Sequence, residues 1–328
     1  MKLEVAFTLD SGPNADAELE FMVASEKEFE EIMAMSEGIY GGMDYLPSRY
    51  HSWIKEPDRT VVLVKKDGEV IGLQSVCIVD GGETALMEGL RVAPWERGKG
   101  VARVLQQFCA ELVRQRHPGV KVARLTRDDK LGPKDFLKYR VITKQAILLM
   151  KFNARDFSLR LRDIVAALRG SNRLPPALLL EKSEVPAVVL DPVFIRKVLP
   201  GQTIIQDWQP FQPLASNLAL LLKKELRWMV DSRADPLVAT VCSPPFPIPK
   251  GQDWVYLNVD VFGQDFSRIQ SQLLAHLQNR IQTLEGNVMC ELFLVPELWE
   301  AMAQFCTCVL KVELAKDYTE QYLLEYDI

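Results

Sequence analysis

The chain has 328 residues, of which 48% are hydrophobic and 25% charged, and its length exceeds that of one typical domain. The formal net charge of -5 argues against a nucleic-acid partner, because phosphate recognition needs a concentrated basic surface. No apolar run approaches the ~20 residues that span a bilayer, so we expect no membrane segment.

Neither the cysteines nor the histidines are spaced like the ligands of a metal site. The three histidines form neither an HExxH motif nor a Cys/His ligand set, which predicts that no metal is bound. The cysteines lie mostly in apolar segments and form no CxxC pair, as expected of free thiols in a reducing cytosol. The sequence therefore predicts a cytoplasmic protein of two domains.

The chain begins with residues 1–18, which lack hydrophobic periodicity and are predicted to form a flexible N-terminal extension. Alternation predicts a short strand at 20–24, and Ser25 with Glu28 forms a capping box that opens a helix. The following stretch, 36–53, is rich in aromatic residues and glycine. It is predicted to be a loop that enters a second helix.

Three antiparallel strands come next. An Asp-Gly pair at positions 67 and 68 supplies the positive-φ residues of a hairpin turn between the first two. Apolar residues at helical spacing then predict an amphipathic helix that packs on a sheet. The predicted elements are strands at 60–64, 70–79 and 84–92, a helix at 101–116, a strand at 120–126, a short helix at 134–139 and a strand at 143–152.

A glycine turn, residues 94–100, joins the third of these strands to the helix. Pro94, Gly98 and Gly100 let the backbone turn tightly, so that N–H groups point outward at the positive end of the helix. Such a site suits a pyrophosphate. Glycine turns are also common as loop punctuation, and on these residues alone that alternative stays open.

The spacing Arg97-x-x-Gly100-x-Ala102 behind the strand resembles the acetyl-CoA signature of the GNAT superfamily of N-acetyltransferases. The element order over 20–152 is also the one found in that family. The resemblance implies an α/β fold with a mixed (α+β) sheet, the acyl-CoA N-acyltransferase (GNAT) fold, with acetyl-CoA as acetyl donor. The residues it implies for acetyl-CoA binding are Leu90, Val92, Arg97, Gly98, Lys99, Gly100, Val101, Ala102 and Lys138.

The second half repeats part of this order. Residues 153–190 are interpreted as a connector, and 191–328 contain a β-α-β-α-β pattern like the second half of the first domain, 19–152. Its predicted elements are a strand at 253–262, a helix at 265–284, a strand at 287–295, a helix at 296–309 and a strand-like stretch at 311–325. The position of the glycine turn there has one glycine, Gly263, and an acid, Asp265, that would repel a phosphate. We therefore expect a tandem pair of GNAT folds with a degenerate C-terminal lobe.

Acetyl transfer to an amine needs a base for the amine and an acid for the leaving thiolate. Glu88 is an ionisable residue in an otherwise apolar strand and is predicted to be the general base; an edge charge or salt-bridge partner is the alternative. The resemblance implies a tyrosine acid on the short helix, where Tyr139 lies. Alignment with the family pattern places that tyrosine at Phe136 instead, so Tyr139 as a packing aromatic stays open.

The stretch 39–63 is similar to the vertebrate histidine N-acetyltransferases, which implies L-histidine as the small-molecule substrate. Another small amine, an amino acid or a protein N-terminus stays open as the acceptor, and so does a non-catalytic acyl-CoA sensor or scaffold. Polar and aromatic residues that flank the acetyl position in this fold are predicted to bind substrate: Tyr40, Asp44, Tyr45, Arg49, Arg127 and Asp128.

Overall fold

The computed structural model describes residues 19–128, 131–170 and 174–328. The predicted extension 1–18 lies outside the described residues. The chain forms two compact units. The first unit comprises the residues up to 125 with 248–250 and 325–328, and the second comprises 126–247 and 251–324. The domain boundaries at 152 and 190 stay predictions, and residues 126–152 belong to the second unit.

The first unit is built on a sheet in which β1 to β4 are antiparallel neighbours and β5 lies parallel to β4. The last residues of β5 cross into the second unit. The elements are β1 Leu19–Val23, α1 Phe29–Met35, α2 Leu46–Trp53, β2 Arg59–Lys66, β3 Glu69–Val79, β4 Thr84–Val92, α3 Val101–Arg116 and β5 Val122–Arg127.

Local sequence signals explain these elements. The capping box of Ser25 and Glu28 is present, and the β2–β3 turn holds Asp67 and Gly68 at φ +53 and +84. Helix α3 buries the apolar face predicted for it, with Phe108 stacked on Phe21 at 4.0 Å between ring centroids. The predicted bounds of β4 and α3 are confirmed.

The second unit contains a sheet with the order β6-β14-β13-β11-β10-β7, in which β13 and β14 are parallel and the other neighbours antiparallel. Its elements are α4 Pro133–Lys138, β6 Arg140–Asn153, α5 Ala154–Gly170, β7 Leu178–Leu179, α6 Val185–Val189, α7 Pro192–Lys197, β8 Ile204–Gln206, β9 Gln209–Phe211, α8 Ala215–Leu221, β10 Arg227–Val230, β11 Val238–Cys242, β12 Phe246–Pro247, β13 Trp254–Gly263, α9 Phe266–Ile281, β14 Asn287–Leu294, α10 Trp299–Gln304, β15 Glu313–Leu314 and β16 Thr319–Asp327. The last residues of β16, from 325 on, belong to the first unit.

The predicted β-α-β-α pattern of this half is confirmed at β13, α9, β14 and α10. Two expectations differ from the structure. The predicted helix at 296–309 is α-helical only over α10 and continues as a π-helical turn, Phe305–Val309. The single strand-like stretch at 311–325 is two strands, β15 and β16, because the chain bends at residues 315–316 between them.

Candidate active site

Strand β4 changes its pairing in the middle of its length. Its register with β3 shifts beyond Glu88, so that Gly89 and Leu90 together face Gln74. Two residues of one strand that face a single residue of its neighbour form a β-bulge. Gly89 has φ +65, a conformation that glycine adopts without strain. Parallel pairing with β5 covers residues 84–86 of β4. The bulge therefore turns the backbone of 89–90 out of the regular ladder.

Glu88 lies next to the bulge, with 12% of its side chain exposed. Arg59 Nη1 donates to Glu88 Oε2 at 2.5 Å and to Ser75 Oγ at 2.8 Å, and Arg59 Nε donates to Glu56 Oε2 at 2.6 Å. The guanidinium also lies 4.5 Å from the ring centroid of Trp53. The salt bridge that the sequence left open for Glu88 is therefore present, and it fixes the carboxylate in place.

The electrostatics of this pair have a definite direction. Burial lowers the pKa of Arg59, but the charges of Glu88, Cys77 and Glu56 beside it together outweigh burial and raise that pKa. Arg59 is therefore a permanent cation that donates to the Glu88 carboxyl group.

An aromatic cluster, made of Tyr40, Tyr45 and Trp53, lies beside the bulge. The ring of Tyr45 is 6.2 Å from that of Tyr40 and 5.7 Å from that of Trp53. The guanidinium groups of Arg49 and Arg91 each lie 5.5 Å from the centre of the Tyr45 ring. Tyr40 is 53% exposed, whereas burial raises the pKa of Tyr45. The predicted substrate residues Tyr40, Tyr45 and Arg49 are thus brought together.

The bulge glycine packs against this cluster. A β-carbon at Gly89 would come within 3.1 Å of Trp53 Cζ3 and 3.5 Å of Tyr45 Oη. Glycine is therefore required at this position both by its φ and by the close approach of Trp53.

Asp44 is predicted to bind substrate with Tyr40, Tyr45 and Arg49, but its carboxylate lies in a buried ion pair. Its carboxylate accepts from Arg91 Nη1 at 2.8 Å and Nη2 at 3.1 Å, and both side chains are almost completely buried. Asp44 Oδ1 also accepts from the Leu46 N–H at 3.0 Å, at the start of α2. This bidentate pair ties the segment before α2 to β4. A substrate contact for Asp44 stays a prediction, and the structure gives its oxygens a structural role.

The glycine turn has the geometry that the sequence predicts. Gly98 and Gly100 have φ +77 and +86, and a β-carbon at either would meet no described atom within 4 Å. Arg97 Nε donates to the Val92 carbonyl at 3.2 Å, and Lys99 Nζ donates to Glu96 at 3.2 Å. The turn is held by its own side chains, and it is exposed from Arg97 to Gly100.

Helix α3 begins directly after Gly100, its N-cap residue. The first N–H groups of a helix have no acceptor within it, and they carry the positive end of the helix dipole. Val101 is buried and Ala102 half-buried, so the first turn of the helix is anchored. Leu90 and Val92 pack against the core of the first unit. These residues form an exposed turn on a buried, packed base, and its binding of a phosphate stays a prediction.

Two predicted substrate residues lie in the second unit. Arg127 Nη1 donates to Asp135 Oδ1 at 2.8 Å. Asp128 accepts from Lys316 Nζ at 3.0 Å, with both side chains nearly half exposed. The surface salt bridges that are the alternative for each residue are therefore present, and substrate contacts stay predictions.

Tyr139 follows α4 immediately and is buried, whereas Phe136 is 57% exposed. Lys138 Nζ lies 4.7 Å from the centre of the Tyr139 ring. The cation of Lys138 therefore contacts an aromatic face, and its contact with acetyl-CoA stays a prediction.

In the second unit, the helix end that corresponds to the glycine turn is the start of α9, and it is capped by a side chain of the same unit. Asp265 caps α9 by accepting from the Arg268 N–H at 3.1 Å and from Ser267 Oγ at 2.7 Å. Arg268 in turn forms an ion pair with Asp231 at 2.8 Å. The end of α9 that would face a phosphate thus already has a carboxylate on it.

Sequence reasoning missed Arg59, Arg91, Gly89 and Trp53. The glycine inside a strand pattern was the available signal, because such a glycine commonly marks a bulge or a close approach. The two arginines had no local signal, since their partners Glu88 and Asp44 lie 29 and 47 positions away.

Comparison with known proteins agrees with this geometry. The family described as "Acetyltransferase (GNAT) family" matches residues 27–132, and the one described as "Histidine N-acetyltransferase, C-terminal" matches 173–295. The histidine N-acetyltransferase of Xenopus tropicalis is 58% identical over 100% of both chains, and that of Scomber australasicus 54% identical over 100% of both. The chain belongs to the histidine N-acetyltransferase family.

Another member of similar length is "Probable N-acetyltransferase 16" of Homo sapiens, 60% identical over 97% of this chain and 88% of the relative. Among solved structures, a tandem GNAT protein from the clavulanic acid biosynthesis pathway has a TM-score of 0.55 at 15% identity and covers 94% of this chain and 98% of that one. The predicted mixed α/β fold of tandem GNAT type is therefore confirmed for this histidine N-acetyltransferase family member.

Two features are absent from the described residues. Among them, no three histidine, cysteine, aspartate or glutamate side chains are grouped so that they could hold a metal ion. None of the helices in the described ranges has the length and apolar character needed to cross a membrane.

Proposed function

We propose that the protein is an acetyl-CoA-dependent N-acetyltransferase that converts L-histidine to N-acetylhistidine, with the catalytic domain in residues 19–152 and a degenerate GNAT lobe in 191–328. The observation that carries the proposal is identity of 54–58% over the whole chain to proteins named histidine N-acetyltransferase. The GNAT match over 27–132 includes the whole glycine turn and its strand.

The glycine turn fits acetyl-CoA in its chemistry. Its exposed backbone, with two glycines at positive φ and the start of α3 behind them, offers N–H donors to a pyrophosphate. Arg97 and Lys99 add positive charge at the same turn. Bound acetyl-CoA supplies the acetyl group as a thioester, and the new C–N bond forms as the C–S bond breaks.

Glu88 is assigned to proton transfer. An amine attacks only in its neutral form, so the ammonium proton of the substrate goes to this carboxylate, directly or through water. Arg59 is a positioning residue, because it holds Glu88 and touches no reacting atom in this assignment. Tyr139 is the candidate that returns a proton to the leaving sulfur.

Substrate recognition is assigned mainly to the aromatic cluster. Exposed Tyr40 and half-buried Arg49 offer a face for an imidazole ring and a cation for a carboxylate. Asp44, Arg127 and Asp128 are weaker candidates, since each already has a protein partner.

A panel of amines tests the substrate. Release of CoA thiol by the purified full chain is measured with L-histidine, other free amino acids, polyamines and N-terminal peptides, and the highest kcat/KM is expected for L-histidine. Equal rates for all α-amines, or a higher rate for another amine, would reject histidine while keeping acetyl transfer.

The human relative at 60% identity carries a name that specifies no substrate, and it favours another small amine as the second candidate. The same panel separates the two. Binding of acetyl-CoA without turnover of any amine would instead favour a non-catalytic acyl-CoA sensor.

A further inference from the structure

One face of the sheet in the second unit is polar although it is buried. Along β13, Tyr256, Asn258 and Asp260 alternate with residues of the apolar core. Glu291 of β14 is the register partner of Asn258, and Asp207 lies in the turn between β8 and β9. These five buried residues are called the polar cluster.

Hydrogen bonds join the members of the polar cluster. The Asp207 N–H donates to Asp260 Oδ1 at 2.8 Å, and Asn258 Nδ2 donates to the same oxygen at 3.3 Å. The Tyr256 hydroxyl donates to Glu291 and lies 3.4 Å from Asp207 Oδ1. Gln321 Nε2 donates to the Asp207 carbonyl at 2.9 Å. Asp207 is therefore the hub to which both Asp260 and Gln321 are bound.

The polar cluster has more acceptors than its described donors satisfy. Asp260 Oδ2 and Gln321 Oε1 have no hydrogen-bond partner, and these side chains are 0% and 1% exposed. Both belong to residues already hydrogen-bonded to Asp207. An unpartnered buried oxygen costs free energy, so two of them on residues bonded to Asp207 indicate a group that donates hydrogen bonds.

Charge points to the same kind of group. Within the described residues, neither Asp260 nor Glu291 forms an ion pair, and a buried carboxylate is costly without a cation. Burial and the charge of Asp207 raise the pKa of Asp260 well above its ordinary value, and burial raises the pKa of Glu291 to about 7. A bound cation would relieve both penalties.

The arrangement of the carboxylates argues for an organic cation rather than a metal ion. In the described ranges no group of three or more metal-ligating side chains could hold an ion, so these carboxylates do not converge as ligands do. An ammonium or imidazolium group instead reaches separate acceptors through separate N–H bonds.

We propose that the polar cluster binds a small organic cation that carries at least two N–H donors, an ammonium or imidazolium compound, with Asp260 as its central acceptor. All five residues lie within the segment that matches the histidine N-acetyltransferase C-terminal family, 173–295. This gives the degenerate lobe a ligand of its own, and it does not depend on which amine is acetylated.

Calorimetric titration of the full chain in the absence of acetyl-CoA tests this, with histamine and ethylenediamine as probes. Saturable binding is expected for the wild type. Asp260→Asn is expected to weaken it at least about tenfold, since the amide presents a donor to the ligand's donor. This variant keeps the side-chain shape at a buried position, so it should fold, which thermal unfolding checks.

Asp235→Asn is the matched control, because it makes the same substitution at an exposed position of the second unit; its affinity should equal that of the wild type. Tyr256→Phe should weaken binding as well. Absence of saturable binding, equal affinity in Asp260→Asn, or displacement of histamine by potassium or magnesium chloride alone would each overturn the proposal. Continued acetylation of histidine beside any of these results would leave the proposed function standing.

Discussion

At the scale of single residues, Glu88 is defined by the arginine beside it. Arg59 is shared by two carboxylates, Glu88 at 2.5 Å and Glu56 at 2.6 Å, of which Glu88 is the more buried. Only Glu88 lies on β4, beside the bulge. The pair therefore offers its own control, since either carboxylate can be removed while Arg59 keeps the other.

Glu88→Gln is expected to lower kcat by about 10²-fold or more, the usual contribution of a general base. The KM for acetyl-CoA should stay within about twofold, because a base acts on the amine after the donor has bound. Glu56→Gln, which removes the other partner of Arg59, should lower kcat by less than about threefold. Steady-state kinetics of the two variants checks this, and equal losses would assign the effect to Arg59 instead.

The contribution of Glu291 to the stability of the fold is expected to depend on pH. Its pKa rises from an ordinary 4.5 to about 7 through burial, with Asp207 and Asp128 adding to the rise and Tyr256 and Lys316 opposing it. A carboxyl group whose folded pKa is raised destabilises the fold progressively as the pH rises from about 4.5 to about 7. Glu291→Gln lacks this penalty.

The free energy of unfolding of Glu291→Gln, relative to that of the wild type, should therefore increase from pH 5 to pH 8. The increase is up to roughly 3 kcal/mol, at about 1.4 kcal/mol per pKa unit. Urea unfolding at the two pH values measures the difference. Glu313→Gln, at an exposed carboxylate, should show no such trend. The same difference at both pH values would mean that Glu291 is charged throughout.

At the scale of elements, the glycine turn and α3 act together. The strand ends at Val92, two glycines at positive φ turn the chain, and the helix starts with its N–H groups at the exposed end. In the second unit the helix in the corresponding place, α9, carries Asp265 as its cap. A capping carboxylate stabilises a helix and opposes an anion there, so the two ends suit different ligands.

Gly100→Ala is expected to raise the KM for acetyl-CoA by about tenfold, because the added methyl group projects where the backbone must approach a phosphate. Gly68→Ala is the matched control, since its φ of +84 is close to the +86 of Gly100 and both positions are open. Each change should cost about 1 kcal/mol of stability through its φ. A similar rise of KM in both variants would place acetyl-CoA elsewhere.

At the scale of the whole molecule, the end of the chain belongs to the first unit. Arg124 of β5 donates to Glu325 at 2.7 Å and to Asp80 at 2.9 Å, and all three residues are buried. Tyr326 and Ile328 pack against the apolar core of the same unit. The unit that carries the glycine turn is therefore completed by Glu325, which lies 201 positions beyond Arg124 in the chain.

Glu325→Gln should lower the free energy of unfolding by about 2 kcal/mol, because it leaves a buried guanidinium with one carboxylate fewer. Glu83→Gln removes the partner of Lys121, an exposed ion pair of the same unit at 2.6 Å, and should cost less than about 0.5 kcal/mol. Urea unfolding of both variants measures the contrast. Equal small effects would mean that Asp80 alone neutralises Arg124.

The sequence predicted the first unit well and the second only in part. Strand β4 and helix α3 have strong periodicity and local stop signals, so their bounds were predicted correctly. The short strands β8 to β11 were not predicted, since two of them have three residues each and strands this short carry little periodic signal. The polar alternation of Tyr256, Asn258 and Asp260 was available in the sequence, but its burial was not.

The sequence by itself determined the glycine turn, the mixed α/β element order and the position of Glu88, because all three depend on neighbouring residues and their spacing. Tertiary structure alone decided that Glu88 is held by Arg59, that Asp44 is paired with Arg91 and that Asp260 is buried without a partner for one oxygen. These facts depend on which distant segments meet and how much water they exclude. Coulombic and desolvation energies follow that distance and burial, not the order of residues along the chain.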